Sequence, residues 1–224
     1  MILYHGSEFI IDKPEYGKGS PHNDYGLGFY CTEHIELAQE WACTNEHGGY
    51  ANRYSLDPVG LKVIKLTDGH HNILNWLAIL LENRQFKINS DIKASARQYL
   101  LDNFLPDYKD CDVMIGYRAD DSYFQFANAF IGNALSLQRL SKAMYLGNPG
   151  EQVCIRSKKA FGQVIFEGSE PVLQDEYFPK RKNRDDEARA AYKTEIAAAA
   201  DPLNETFVMD IIRQGWRGDD ARLQ

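Results

Sequence analysis

Short runs of mainly apolar and aromatic residues stand at the beginning of the chain, a pattern typical of β-strands. It predicts strands at residues 2–5 and 28–31, separated by a polar loop at 6–27 that is rich in Gly and Pro. A loop of this length inside a folded domain is usually functional. After it, Thr32 is predicted to cap an amphipathic helix. The apolar positions of that helix recur at helical spacing and are Ile35, Ala38, Trp41 and Ala42.

The middle of the chain combines further predicted strands with several predicted helices. The strands are expected at 50–56 and 61–66, with an Asp-Pro turn between them, and at 111–117 and 151–157. The helices are expected at 70–84, from Ser90, after a cap at Asp120 or Asp121, and from Ser136. The helix from Ser90 is predicted to bury Ile92, Ala96, Tyr99 and Leu100. Short strands mixed with many helices indicate an α+β fold.

The composition changes near the C-terminus, where charged residues and alanines become frequent. A basic run at 180–184 precedes a stretch at 185–200 that is predicted to form a long helix. One more amphipathic helix is predicted from Phe207, Val208, Ile211 and Ile212. We therefore divide the chain into a main domain at 1–175 and a helical extension at 176–224. The basic run is interpreted first as the solvated start of a helix, and alternatively as a contact site for an anionic target.

Charge and composition narrow the classes of function. The chain has 224 residues, of which 44% are hydrophobic, enough to bury a substantial core. Its net charge of -7 disfavours a general role in binding nucleic acid, although a local basic patch remains compatible with it. The apolar stretches are too short to span a membrane, and the N-terminus lacks a signal pattern. We expect a cytoplasmic protein without a membrane partner.

The cysteines indicate neither a metal site nor a disulfide framework. Cys31, Cys43, Cys111 and Cys154 are scattered without C-x-x-C spacing. They are expected to be free thiols in or near the core. No metal is expected.

Three short segments carry the candidate chemistry, and each begins or ends a predicted strand. They are Leu-Tyr-His-Gly-Ser at 3–7, Asp-Tyr-Gly-Leu-Gly-Phe-Tyr-Cys-Thr at 24–32, and Glu-Gln-Val-Cys-Ile at 151–155. A His beside a Gly is usually structural, and the Gly-x-Gly of the second segment is too short to indicate a phosphate-binding loop. Their order and their placement on strands carry the signal.

Taken together, the segments resemble the ADP-ribosyltransferase superfamily of the diphtheria-toxin and PARP type. Its motif is a His on the first strand, a Tyr on the second and a Glu on a later one. The segments look closest to a bacterial family with L-Y-H-G-S and D-[YF]-G-x-G-F-Y-x-T signatures, long catalogued as a domain of unknown function. The resemblance extends to about residue 175. It implies a split β-sheet with flanking helices around an NAD cleft.

The resemblance also implies an activity. Such an enzyme cleaves the nicotinamide–ribose bond of NAD, its substrate, and transfers ADP-ribose to a macromolecular acceptor, either a protein or an RNA or DNA base. The implied setting is a bacterial toxin or effector, which leaves room for an antitoxin or regulatory partner. His5 would bind a ribose hydroxyl of the adenosine half, the Gly6 backbone would pair with the nicotinamide carboxamide, and the Tyr30 ring would stack on nicotinamide. Ser7 and Gly28 complete the implied NAD-binding set.

The chain departs from the superfamily at the third motif position, where Gln152 stands with Glu151 beside it. Alternation along a strand places Gln152 with Cys154 on one face, opposite Val153 and Ile155, which should face the core. Gln152 is therefore the candidate for the superfamily's Glu position. A register slip of one residue would exchange the faces and make Glu151 the candidate.

Two further carboxylates and two alternative functions remain open. One of Asp120 and Asp121 is expected to cap a helix, and this alone could explain the pair. Alternatively, the other aspartate faces the cleft as a base or as a contact to the target. Because the glutamate is missing, the chain is also compatible with a catalytically silent module that binds NAD or a partner protein. A hydrolase that consumes free NAD is a third alternative, which the appended helices do not favour.

Overall fold

Seven strands and eight α-helices form the part of the chain that the computed structural model describes, residues 1–119, 121–143, 150–198, 201 and 204–223. The strands are β1 (Ile2–Ser7), β2 (Phe29–Cys31), β3 (Gly49–Leu56), β4 (Val63–Lys65), β5 (Val113–Tyr117), β6 (Glu151–Ile155) and β7 (Val164–Val172). The helices are α1 (Ile35–Ala42), α2 (Ile73–Asn83), α3 (Asp91–Phe104), α4 (Asp121–Ile131), α5 (Leu137–Ala143), α6 (Lys158–Phe161), α7 (Gln174–Ala197) and α8 (Val208–Gln214), followed by a 3-10 turn at Ala221–Leu223. The predicted α+β class is confirmed.

The strands belong to two sheets that meet at one point. The first sheet has the order β1-β3-β7 and is antiparallel, whereas the second has the order β2-β6-β5-β4 with β4 parallel to β5. The backbone N–H of Tyr4 donates to the carbonyl of Thr32 at 2.7 Å, and the N–H of Thr32 donates to the carbonyl of Tyr4 at 2.9 Å. This bridge joins the edge strand of one sheet to the edge strand of the other.

Strand β6 is buried on both faces, in two different cores. Val153 and Ile155 pack with Leu3 and Cys31 in a small core beside the sheets. Cys154 faces the larger core, to which α2, α3, α4, α5 and α8 contribute apolar side chains. The predicted alternation of β6 is therefore confirmed, and the second face is covered by helices.

Helix boundaries follow the capping residues that the sequence provides. The Ser90 hydroxyl accepts a hydrogen bond from the Lys93 N–H, so the predicted start of α3 is confirmed. Asn72 and Asn75 form reciprocal side-chain caps, so α2 begins at Ile73, three residues after the opening predicted at His70. The prediction that Thr32 caps α1 is wrong, because its backbone is held in the bridge between the sheets and α1 begins at Ile35.

Several other sequence-based expectations require correction. The strands predicted at 50–56 and 61–66 correspond to β3 and β4, but these lie in different sheets and do not pair. Ile92 was expected to be buried and is 41% exposed, because α3 turns that side away from the larger core. The long C-terminal helix begins at Gln174, well before residue 185, and contains Pro179. Strand β7 was not predicted at all.

The C-terminal helices pack on the same core as the rest of the chain. Ala188 of α7, Val208 and Ile211 of α8, and Trp216 are buried among the side chains of the larger core. The predicted domain boundary at residue 175 falls in the first turn of α7. No described helix is both long enough and apolar enough to cross a membrane.

The expectation for the cysteines is confirmed. All four are free thiols, and all four are buried.

Candidate functional site

A cavity of about 810 Å³ lies beside the bridge between the two sheets. His5 of β1 lines it, one residue after the bridge, as does Tyr30 of β2. Gln152 of β6 and Gly28, at the end of the long loop, also line it. One residue or more from each of the three segments singled out in the sequence therefore lines the same cavity.

His5 is held as a neutral ring with one acceptor nitrogen. Its Nδ1 lies 2.6 Å from the backbone oxygen of Tyr30. Because a carbonyl oxygen can only accept, Nδ1 carries the proton and Nε2 is left with a lone pair. Burial holds the pKa of His5 below its usual value of 6.5, so the ring is uncharged at neutral pH. A hydroxyl group is the natural partner for such a nitrogen.

Tyr30 lines the cavity, and its hydroxyl is engaged by the protein. The hydroxyl donates to the backbone oxygen of Gly26 at 2.6 Å and accepts from the N–H of Tyr25 at 3.1 Å. Burial raises the pKa of Tyr30 well above its usual value, so the hydroxyl stays protonated. The Tyr30 side chain therefore links β2 to the end of the long loop, at Tyr25 and Gly26.

Gln152 presents an acceptor to the cavity. Its Nε2 donates to Oδ2 of Asp24 at 2.6 Å and to the backbone oxygen of Tyr117 at 3.2 Å. Both partners can only accept, which fixes the orientation of the amide. The carbonyl oxygen Oε1 accepts no hydrogen bond from any residue that the structure describes. Gln152 is 5% exposed, so contacts within the protein, and not solvent, set the orientation of its side chain.

Asp24 is a buried carboxylate of the candidate site that the sequence analysis did not single out. Its carboxylate is 5% exposed and accepts from Arg84 Nη1 at 2.9 Å, from the Ala119 N–H at 2.8 Å and from Gln152. A buried carboxylate needs such partners to offset its lost hydration. Its position at the start of the second motif could have marked Asp24 as a candidate. The motif did not reveal which groups its carboxylate contacts.

Glu151 lies outside the cavity. Its carboxylate accepts a hydrogen bond from the Thr67 hydroxyl and forms an ion pair with Lys65 at 3.2 Å. Both partners belong to the β4 side of the second sheet. The structure therefore turns Gln152, and not Glu151, toward His5 and Tyr30.

With this geometry in place, the chain can be compared with known protein families. A family model described as a protein of unknown function, DUF3990, matches residues 1–166. The chain belongs to the DUF3990 family. No match was found to a curated protein or to a solved structure. The matched region contains His5, Asp24, Tyr30 and Gln152, ends within β7, and leaves α7 and α8 outside the family match.

Two of the predicted NAD-binding residues of this DUF3990 member do not line the cavity. A Cβ on Gly6 would lie 1.9 Å from the backbone oxygen of Ala38, so the glycine allows β1 to pack closely on α1. The Ser7 hydroxyl donates to the carbonyl of Phe9 at 2.7 Å and accepts from the Asn52 amide at 2.9 Å. These contacts account for both residues structurally, and their roles toward NAD stay predictions.

The remaining predicted site residues are Gly28, Asp120 and Asp121. Gly28 lines the cavity, and a Cβ there would lie 2.4 Å from Sγ of Cys154, so only glycine allows this close approach. Asp120 lies outside the described residues. Asp121 is the first residue of α4. The cap and cleft roles considered for these two carboxylates stay predictions.

The cavity of this DUF3990 member is more basic than the chain as a whole. Five cationic side chains and three carboxylates line it, although the net charge of the chain is -7. The cations are Lys13, Lys18, Arg84, Arg118 and Arg181, and the carboxylates are Asp12, Glu15 and Asp24. Local positive charge on an acidic protein favours a small anionic ligand at this position.

Proposed function

We propose that this DUF3990 member is an ADP-ribosyltransferase, which binds NAD in the cavity beside the sheet bridge. The observation that carries the proposal is the convergence of His5, Tyr30 and Gln152 on one cavity. They come from strands β1, β2 and β6, in the chain order of the superfamily's His, Tyr and Glu positions. The split arrangement of the two sheets supports the same assignment.

The contacts of these residues suit the parts of NAD that they would meet. The acceptor Nε2 of His5 would bind a ribose hydroxyl of the adenosine half, and the Tyr30 ring would stack on the cationic nicotinamide. A cavity of about 810 Å³ lies within the usual size range for such ligands. The excess of cationic side chains would offset the charge of the diphosphate.

Gln152 would act at the reacting carbon. The bond between ribose C1′ and the nicotinamide nitrogen breaks, its electron pair leaves with nicotinamide, and positive charge develops on the ribose. The Oε1 of Gln152 would accept a hydrogen bond from the ribose 2′-hydroxyl. Because its Nε2 donates to the Asp24 carboxylate, the amide is polarised and Oε1 becomes more negative. The pair would supply part of the charge that a glutamate provides in the superfamily.

The transfer is completed by a nucleophile from the acceptor. Its lone pair forms the new bond to C1′, and its proton is released. An amide cannot accept that proton at ordinary pH, so the acceptor group must already be nucleophilic or lose its proton elsewhere. We propose a macromolecular acceptor, either a protein side chain or a nucleic-acid base.

A second candidate is a catalytically silent module that binds NAD or a partner protein. Two observations favour it. The β6 position holds a neutral amide, and both oxygens of Asp24 are engaged by Arg84, Ala119 and Gln152. Such a site could bind a dinucleotide without promoting cleavage of its glycosidic bond.

Two measurements on the purified protein separate the candidates. Isothermal titration with NAD tests binding, and chromatographic detection of free nicotinamide tests cleavage. A transferase binds NAD and releases nicotinamide, whereas a silent module only binds. Incubation with labelled NAD and cell extract, followed by digestion with protease or nuclease, then identifies the class of acceptor. A protein that binds no NAD contradicts the transferase.

A further inference from the structure

We propose that α7, which lies outside the family match, completes the ligand site. Its Arg181, together with Arg118 and Trp41, forms a subsite for the diphosphate of a dinucleotide. This inference rests on the proposed function, because it concerns the same cavity. It assigns a ligand role to the basic run at 180–184, whose first interpretation from sequence was a solvated helix start and whose alternative was a contact site for an anionic target.

Helix α7 is fixed against α1 by two arginines spaced one turn apart. Arg184 donates to the buried Glu40 carboxylate through Nε and Nη2, both at 2.9 Å, which is a bidentate pair. Arg181 donates from Nη1 to the backbone oxygen of Cys43, immediately after α1. The remaining N–H groups of Arg181 have no hydrogen-bond partner among the described residues, and the side chain lines the cavity.

Trp41 lines the same cavity and holds the second arginine by stacking. It lies on α1 two residues before Cys43 and lines the cavity together with Arg118. The Arg118 guanidinium stacks over the Trp41 ring, with its carbon 4.5 Å from the ring centre. The indole Nε1 of Trp41 is buried, and no residue that the structure describes accepts a hydrogen bond from it. Buried donors are nearly always satisfied, so a ligand acceptor would explain this one.

A diphosphate fits this set of donors better than any other part of a dinucleotide. It carries the negative charge of the molecule, and its oxygens accept hydrogen bonds in the fork geometry that guanidinium groups offer. The two arginines reach the cavity from different segments, one on α7 and one after β5. The charged centre of the ligand would thus bridge the family region and the extension.

Isothermal titration with ADP-ribose, NAD and adenosine tests this subsite in the full-length protein. We expect Arg181→Gln to weaken ADP-ribose and NAD by about ten-fold to a hundred-fold, the effect of losing a charged hydrogen bond. Adenosine, which lacks phosphate, should bind unchanged. The bidentate pair between Arg184 and Glu40 is unchanged in this variant, so α7 should stay packed on α1. Lys182→Ala removes one positive charge from the same helix outside the cavity and should leave all three affinities unchanged.

The remaining outcomes separate the inference from the proposed function. If the unmutated protein binds ADP-ribose or NAD and Arg181→Gln binds them equally well, the subsite is wrong and the proposed function stands. If the unmutated protein binds neither, the proposed function fails as well. An equal loss for adenosine, or a lowered melting temperature, would assign Arg181 a structural role and overturn the inference.

Discussion

Asp24 and Gln152 are joined by a hydrogen bond of 2.6 Å although 128 residues separate them in the sequence. Oδ2 of the Asp24 carboxylate, which can only accept, receives this hydrogen bond from Nε2 of Gln152. This contact orients Gln152 so that the acceptor oxygen is left for the cavity. It also changes what is expected when the superfamily's glutamate is restored at this position.

We predict that Gln152→Glu destabilises the protein at neutral pH. Two carboxylates would then lie at hydrogen-bonding distance in a buried site, and one must take up a proton or be repelled. The expected loss is about 1–3 kcal/mol in the free energy of unfolding at pH 7. The loss shrinks as the pH falls, because protonation of one carboxyl restores a donor. Urea denaturation of both proteins at pH 7 and pH 5 measures this.

The double variant Asp24→Asn with Gln152→Glu provides the matched control, since it exchanges amide and carboxylate across the same contact. It should recover part of the lost stability, although the Ala119 N–H and Arg84 then face an amide. A single Gln152→Glu variant as stable as the parent at pH 7 would contradict the contact.

The faces of β6 could be predicted from the sequence, whereas the contacts of Asp24 could not. Because side chains alternate along a strand, the pattern of Val153 and Ile155 made Gln152 the candidate for the cavity face of β6, with Glu151 as the alternative if the register slipped by one residue. The partners of Asp24 could not be predicted, because they are 60, 95 and 128 residues away and no local pattern encodes them. Local periodicity specifies faces, and tertiary packing specifies which faces meet.

Strand β7 and the position of Arg181 also depend on long-range packing that no local sequence pattern encodes. Strand β7 contains Gly168 with φ +141° and Pro171, two residue types that normally argue against a strand. It is stabilised by its pairing with β3, a long-range contact. Arg181 lies in the basic run for which sequence alone favoured a solvated helix start over a contact with an anionic target. The packing of α7 on α1 brings it to the cavity.

Tyr30 is predicted to have separable roles for its ring and its hydroxyl. Tyr30→Phe keeps the ring but removes the bonds to Gly26 and Tyr25, so it should cost about 1–3 kcal/mol of stability while nicotinamide release is retained. Tyr30→Ala should abolish nicotinamide release in a protein that still folds. Thermal unfolding and an assay of released nicotinamide measure the two effects. Full turnover by a folded Tyr30→Ala variant would refute the stacking role.

His5 predicts a pH dependence of both stability and binding. Its pKa is lowered by burial, so the folded protein takes up this proton at lower pH than the unfolded chain, whose value is near 6.5. The contribution of the neutral ring to stability is complete above that value and is lost as the pH falls through the lowered pKa. NAD affinity should fall over the same window, because protonation removes the acceptor at Nε2.

The comparison with His5→Ala tests this assignment. The variant should raise KM for NAD more than it lowers kcat, since a bond to the distant adenosine ribose contributes mainly uniform binding. Its NAD affinity, measured by titration between pH 5 and pH 8, should lose the decline on acidification. A loss of kcat with unchanged KM would instead place His5 at the reacting carbon.

Gln152→Ala is predicted to lower kcat for nicotinamide release by about ten-fold to a thousand-fold, the range for a positioned hydrogen bond at a reacting centre. Glu151→Gln should matter little, because Glu151 lies outside the cavity and contacts Thr67 and Lys65. The two variants alter neighbouring residues on opposite faces of one strand. Full activity in the first with an inactive second would restore the conventional glutamate mechanism.

Asp24 is predicted to act as a positioning residue through Gln152. In Asp24→Asn the isosteric amide can still accept from Arg84 with its oxygen, but its nitrogen can no longer accept from Gln152 Nε2. The Gln152 amide then keeps its bond to the backbone oxygen of Tyr117 but loses its shorter bond to residue 24, and its oxygen loses the polarisation that the carboxylate provided. We expect kcat to fall by about ten-fold, less than the loss from removing Gln152 itself, with KM for NAD nearly unchanged. Steady-state kinetics measures both constants.

In the Gln152→Ala background, Asp24→Asn should cause no further loss of kcat, because a residue that acts only through Gln152 has nothing left to position. An additive loss in the double variant would show that Asp24 contacts the substrate directly.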